Sequence, residues 1–208
     1  MAGVAAVLAA QRVGAIPGVV ANYVAHTWMA VIALTWYVRF GRRFPIGRLD
    51  NTLRPWFVVA LILIAVNLGE TIASPPGASL HVPALPTLAA ELVFLAFVVG
   101  PSEELLFRGL IQTGLNASIR AKADVFGWPV GLGTVIGAVL FGLFHLVNVV
   151  YQPVDATLQQ ALTAVVIGLV FGVLYDRTQN LAGASLAHSL ADFSGTAIPL
   201  LAYLLINR

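Results

Sequence analysis

The chain has 208 residues, 59% of them hydrophobic and only 10% charged, with a mean hydropathy of +0.91 and a net charge of +2. A soluble domain carries roughly a quarter charged residues, so this composition excludes an ordinary water-soluble globule and indicates a membrane protein. The lack of cysteine excludes disulfides, thiolate metal sites and cysteine nucleophiles, and the small net charge, with no basic stretch interleaved with aromatics, argues against nucleic acid as a partner.

Taken in chain order, Met1 to Ala10 is apolar but short and has no basic segment before it, which disfavours a cleaved signal peptide. It reads as an interfacial or capping helix ending near Arg12 and Pro17. A bilayer-spanning helix needs about 20 mostly apolar residues, and six segments qualify. They are Val19 to Val38, Trp56 to Ala73, Thr87 to Gly114, Pro129 to Tyr151, Ala156 to Tyr175, and Asn180 to Ile206. The third runs through Gly100-Pro101, and the sixth is long enough to break near Gly195 or Pro199.

The connections differ in charge. Arg39, Arg42, Arg43, Arg48 and Arg54 cluster around the first loop, Arg120 and Lys122 lie in the third and Arg177 in the fifth. The second loop, Ser74 to Pro86, holds Pro75, Pro76, Gly77, Pro83 and Pro86 and no basic residue. Short cytoplasmic loops carry the excess of Lys and Arg, so the odd loops are expected on the cytoplasmic side. No internal repeat or soluble module is visible. The expected fold class is all-α, a polytopic transmembrane helical bundle forming one integral membrane domain over 1–208, with a motif-bearing core at about 87–206.

Charged groups inside a span cost several kcal/mol and mark bundle interiors or polar cavities. Of the nine acids, Glu70, Glu91, Glu103, Glu104 and Asp192 fall within spans, joined by Arg108, His26, His145 and His188. In Gly100-Pro-Ser-Glu-Glu-Leu-Leu-Phe-Arg-Gly109, Pro101 can start or kink a helix. Glu104 and Arg108 are four apart in the favourable order for a pair. Glu103 points away from them, which leaves one glutamate neutralised and the other able to act. Span four reads Phe141-Gly-Leu-Phe-His145-Leu-Val-Asn148, with Phe141 and Asn148 near the histidine face. In span six His188 and Asp192 are again four apart, so the acid can orient the imidazole or share its site. Taken alone, a histidine in an apolar helix is more often a satisfied core residue, and either pair can simply staple helices. Three such clusters on three spans change the balance, because bundles build sites from facing side chains. A carboxylate and a histidine can activate water, and a second histidine with a protonated aspartate can donate to an oxyanion.

At these residues the sequence resembles the CAAX-protease and bacteriocin-processing family of intramembrane proteases, also called CPBP or Abi. Its Glu-Glu-x-x-x-Arg motif matches Glu103, Glu104 and Arg108; its Phe-x-x-x-His motif matches Phe141 and His145; its His-x-x-x-Asn/Asp motif matches His188 and Asp192. The three occur in family order over about Leu88 to Asp192. The resemblance implies a glutamate-dependent endopeptidase needing no cofactor. Glu103 would be the general base, His145 would help to activate water, and His188 and Asp192 would stabilise the oxyanion. Glu104, Arg108 and Phe141 would support the site, with Asn148 as a possible addition. Eukaryotic CAAX enzymes have asparagine where this chain has Asp192, and an aspartate must be protonated to donate or else orient His188. The implied partners are the lipid bilayer and a membrane-associated protein or peptide, prenylated CAAX-type substrates among them, and the expected location is the plasma (inner) membrane of a prokaryote.

Other readings compete. His145, His188 and Glu103 could supply three zinc ligands, although no His-Glu-x-x-His is present. Gly183-Ala-Ser185 has the flavour of a serine nucleophile in a rhomboid-type enzyme, yet small residues also pack helices in membranes. An aspartyl protease needs a second aspartate to join Asp176, and Gly131-Leu-Gly133 is followed by threonine. A transporter, scaffold or immunity-type protein would also bury acids and histidines. Glu70 and Glu91 read as helix-pairing residues, and His26 and His81 fall outside every motif. At about 1.5 Å per residue, His145 lies too deep if span four starts at Pro129, so that span is expected to enter nearer Val135 or to tilt.

Overall fold

Long apolar runs become long helices here because a backbone in lipid must satisfy its own N–H and C=O groups. The computed structural model describes residues 18–39, 45–47, 50–74, 82, 84–125, 127–150 and 152–206. The expected N-terminal helix, the prolines from Pro75 to Pro83, and His81 lie outside them. Among the described residues six helices follow in order: α1 Gly18–Arg39, α2 Arg54–Ala73, α3 Leu85–Ser118, α4 Leu132–His145, α5 Val154–Thr178 and α6 Leu181–Ile206. With their short flanking 3-10 turns, α2 to α6 give five segments long and apolar enough to cross a bilayer; α1, which covers the stretch expected as the first span, is not among them. Side chains such as Leu61, Leu162, Val166 and Leu205 lie largely exposed on the helix faces. That surface suits hydrocarbon rather than water, and the chain is an integral, multi-pass helical membrane protein.

Two expectations are corrected. Span four does not begin in helix at Pro129. Trp128–Gly131 forms a strand, β2, paired antiparallel with β1 at Lys122–Val125. Gly127 takes the turn with φ of +80°, and Asp124 Oδ1 accepts from its N–H at 2.8 Å. Arg177 stacks over the Trp128 ring at 4.0 Å. The hairpin uses up the apolar Trp-Pro-Val-Gly run, so α4 starts at Leu132, midway between Pro129 and the later entry at Val135. Span six, in turn, does not break: α6 continues through Gly195 and Pro199.

The described residues fall into two compact units, one drawn from Met1–Gly47 and Ser102–Leu181, the other from Arg48–Pro101 and Ala182–Arg208. In the first, Met29 of α1 joins Phe107 of α3, Phe141 of α4 and Ala164 of α5 in one buried cluster. α4 and α5 approach closely where Gly142 meets the Ala161 carbonyl; a Cβ there would lie 2.6 Å from that oxygen. In the second unit, Asn67 of α2 clamps α6, donating to the Ala191 carbonyl at 2.9 Å and to Ser194 Oγ at 2.8 Å. Gly100 of α3 lies against Ser189 of α6, and an added Cβ would sit 2.8 Å from the Ser189 backbone nitrogen. Gly100→Ala therefore forces α3 and α6 apart. Its expected cost is about 1–3 kcal/mol, read as a lower thermal midpoint of the detergent-solubilised protein. An unchanged midpoint would mean that the contact is loose.

Candidate active site

The first motif sits on an unusual stretch of helix. α3 is wound as a π-helix at Leu95–Val99 and again at Leu105–Gln112, with the short α-helical Gly100–Glu104 between them. Proline removes one backbone donor and crowds the preceding turn, and the first π segment lies in the turn before Pro101. In the second, the Thr113 N–H and its hydroxyl both reach back five residues to the Arg108 carbonyl, the hydroxyl at 2.9 Å. Wide turns of this kind inside α-helices are frequent at functional sites.

The two adjacent glutamates, both on the α-helical Gly100–Glu104, face different partners. Glu104 is fully buried and pairs with Arg108, Nη1 to Oε1 at 3.0 Å. The guanidinium also donates to the Gly168 carbonyl at 3.4 Å. It lies 4.4 Å from the Phe141 ring centre and 5.4 Å from that of Phe171. Delocalised and weakly hydrated, guanidinium suits such stacking better than ammonium does. Phe141 thus joins the first motif to the second. It also contacts Phe107 edge-on, with centroids 5.0 Å apart, and His145 at 4.8 Å.

His145 ends α4, and its Nδ1 donates to the Phe141 carbonyl at 2.8 Å. That bond selects the Nδ1–H tautomer of the neutral ring, so Nε2 carries the lone pair and can accept a proton. Asn148 lies beyond, in the 3-10 turn Leu146–Val150, and its amide donates to Gln160 Oε1 at 2.8 Å. Gln152 donates to the same oxygen at 2.7 Å. Asn148 therefore helps to tie the α4–α5 turn.

Glu103 turns to a different helix. Its Oε1 lies 3.0 Å from His26 Nε2 on α1, and both residues are buried. Sequence reasoning places His26 among the ionisable groups that need a partner but attaches it to no motif. Its only sequence signal is an imidazole placed inside a span. A second group missed from sequence closes the other end of this unit. Asp176 accepts from Gln112 at 2.7 Å, from Asn116 at 3.2 Å and from the Thr134 hydroxyl, joining α3, α4 and α5.

The third motif lies in the other unit. His188 Nε2 and Asp192 Oδ2 are 3.5 Å apart on α6, one turn from each other and partly exposed. This is looser than the 2.7–2.9 Å usual for a charge-assisted hydrogen bond. Among the described residues no group of three or more His, Asp or Glu side chains is arranged as a metal cage.

Helices of bilayer length, with buried carboxylates and a guanidinium on α3 facing an imidazole on α1, define a multi-pass membrane protein with a polar centre inside apolar spans. The family model described as type II CAAX prenyl endopeptidase, Rce1-like, matches residues 85–194. That is more than half of the chain, and the chain belongs to this family. All three motifs fall within the matched region, as the resemblance implied. No curated protein and no solved structure matches the chain.

Proposed function

We propose that the protein is an intramembrane endopeptidase that hydrolyses a peptide bond of a membrane-associated, prenylated CAAX-type substrate with water activated by Glu103 and His145. The observation that carries this reading is the separation of the two glutamates. Glu104 has its charge matched by Arg108 at 3.0 Å, while Glu103 faces an imidazole. One carboxylate holds the helices, and the other, in contact with the His26 imidazole, is assigned the role of base.

Glu103 takes a proton from water, assisted by the His145 Nε2 lone pair. The water oxygen bonds to the carbonyl carbon, and the carbonyl electron pair moves onto its oxygen. Stabilising that oxyanion is the role that the motif resemblance gives to His188 and a protonated Asp192. The carbonyl then reforms as the C–N bond breaks, and the proton held by Glu103 passes to the leaving amine. No covalent intermediate and no cofactor take part. A prenyl chain in the substrate would dissolve in the same hydrocarbon that the exposed helix faces meet.

Cleavage of a quenched, farnesylated CAAX-type peptide by the purified protein in detergent tests this. The expected result is cleavage that survives a chelator and falls at least about tenfold for the unprenylated peptide, because each buried methylene adds about 0.8 kcal/mol of membrane affinity. Loss of cleavage with chelator would move the protein to a zinc mechanism. Failure to cleave any of a panel of prenylated and leader peptides would favour a non-catalytic membrane role.

A further inference from the structure

We propose that His26 is a positioning residue for this reaction, holding Glu103 as an oriented carboxylate in its buried site. This rests on Glu103 being the base, as proposed above. His26 lies on α1, outside the matched region and outside every motif. Its Nε2 is nevertheless 3.0 Å from Glu103 Oε1, across 77 residues of sequence. The two side chains are only 9% and 6% exposed, too little for water to solvate the carboxylate.

Burying a charged carboxylate costs several kcal/mol unless hydrogen bonds replace its hydration. Arg108 is within electrostatic reach of both glutamates, but its short contact goes to Glu104. The short imidazole contact at Glu103 comes from α1. At 3.0 Å a nitrogen and a carboxylate oxygen share one proton. While that proton stays on His26, Nε2–H donates and Glu103 is ionised, the form a base needs. Oε1 then accepts from the imidazole, which fixes the orientation of the carboxylate. His26 in this way orients the base without touching the substrate.

The backbone around His26 is built to hold it. Met29, one turn on, is buried against Phe107 and Phe141, and Ala33 is fully buried. α1 therefore packs onto the π-wound part of α3 that follows Glu103. A helix fixed in this way can position an imidazole to within the few tenths of an ångström that orientation requires.

The test uses the full chain in detergent with the farnesylated peptide, comparing wild type, Glu103→Gln, His26→Leu and His26→Gln. His26→Leu is expected to lower kcat roughly 10- to 100-fold, the usual effect of removing a group that orients a reactive one, with KM changed less than about twofold. His26→Gln keeps an N–H donor near the Nε2 position and is expected to recover about tenfold or more of that loss. A purely structural role would lower stability and the active fraction together and would show no such recovery. Wild-type kcat in His26→Leu beside an inactive Glu103→Gln would overturn the role of His26 and leave the base intact. Wild-type activity in Glu103→Gln would overturn both. Should His26→Leu fail to fold, His26→Gln decides: folded and within about tenfold of wild type is the expected result, and folded but inactive overturns the proposal.

Discussion

Glu103→Gln is expected to lower kcat for the prenylated peptide by about 10²–10⁴-fold, the span usual for loss of a general base, while leaving the thermal midpoint almost unchanged. The second half of that statement comes from the local geometry. Glutamine has the same shape, and its carbonyl oxygen can still accept from His26 Nε2, which lies 3.0 Å from Oε1 in the native pair. The substitution therefore removes basicity and keeps the contact that ties α3 to α1. Removing the neighbour acts differently. Glu104→Gln leaves the buried guanidinium without its counter-charge, so its loss of activity is expected to come with a lower midpoint. A variant in which Glu103→Gln cleaves at the wild-type rate, with the protein folded, removes Glu103 from the chemistry. The water-activating role would then have to be found elsewhere.

Arg108→Met is expected to destabilise the protein by about 3–5 kcal/mol, the usual cost of breaking a buried ion pair by deleting one partner. Arg108 is only 2% exposed and Glu104 not at all. The loss is larger than one salt bridge suggests, because the guanidinium also donates to the Gly168 carbonyl and stacks against Phe141 and Phe171. Methionine fills a similar volume, so the damage comes mainly from the orphaned Glu104 carboxylate. The double variant Glu104→Gln with Arg108→Met removes both charges of the pair and is expected to recover most of the loss. Thermal unfolding of the four proteins in detergent closes the cycle and gives the coupling directly. Additive losses would show that the two residues are not energetically joined, and that the motif arginine stabilises the fold by packing alone. Arg108→Lys is expected to fall between, since an ammonium cannot reproduce the planar stacking.

Much of the helix pattern was legible because a bilayer sets the length of each apolar run. The expected spans at Trp56 to Ala73, Ala156 to Tyr175 and Asn180 to Ile206 lie within three residues of the ends of α2, α5 and α6. The fourth span was placed too early at its start. Trp128 to Gly131 is as apolar as a helix start, but its proline and the glycine turn before it favour a hairpin, and hydropathy alone does not distinguish the two. The third span is longer than expected, running from Leu85 to Ser118. Its two π-wound segments change which residues share a face, and a constant 3.6-residue period cannot anticipate that.

At the site, pairs that are local in sequence follow from spacing alone. Glu104 with Arg108 and His188 with Asp192 are each four residues apart on a helix, and the fold holds both pairs at ion-pair distance. By itself the sequence determined a membrane protein, the places of most of its spans, and the order of three motifs that the family match then covered. Only the tertiary structure decided who partners whom across helices. Hydropathy records that a buried charge needs compensation and leaves open which helix supplies it. His26 meets Glu103, the Phe141 ring meets Arg108, and Asp176 gathers Gln112, Asn116 and Thr134. Such contacts depend on which helices lie side by side and how each is rotated, and packing sets both.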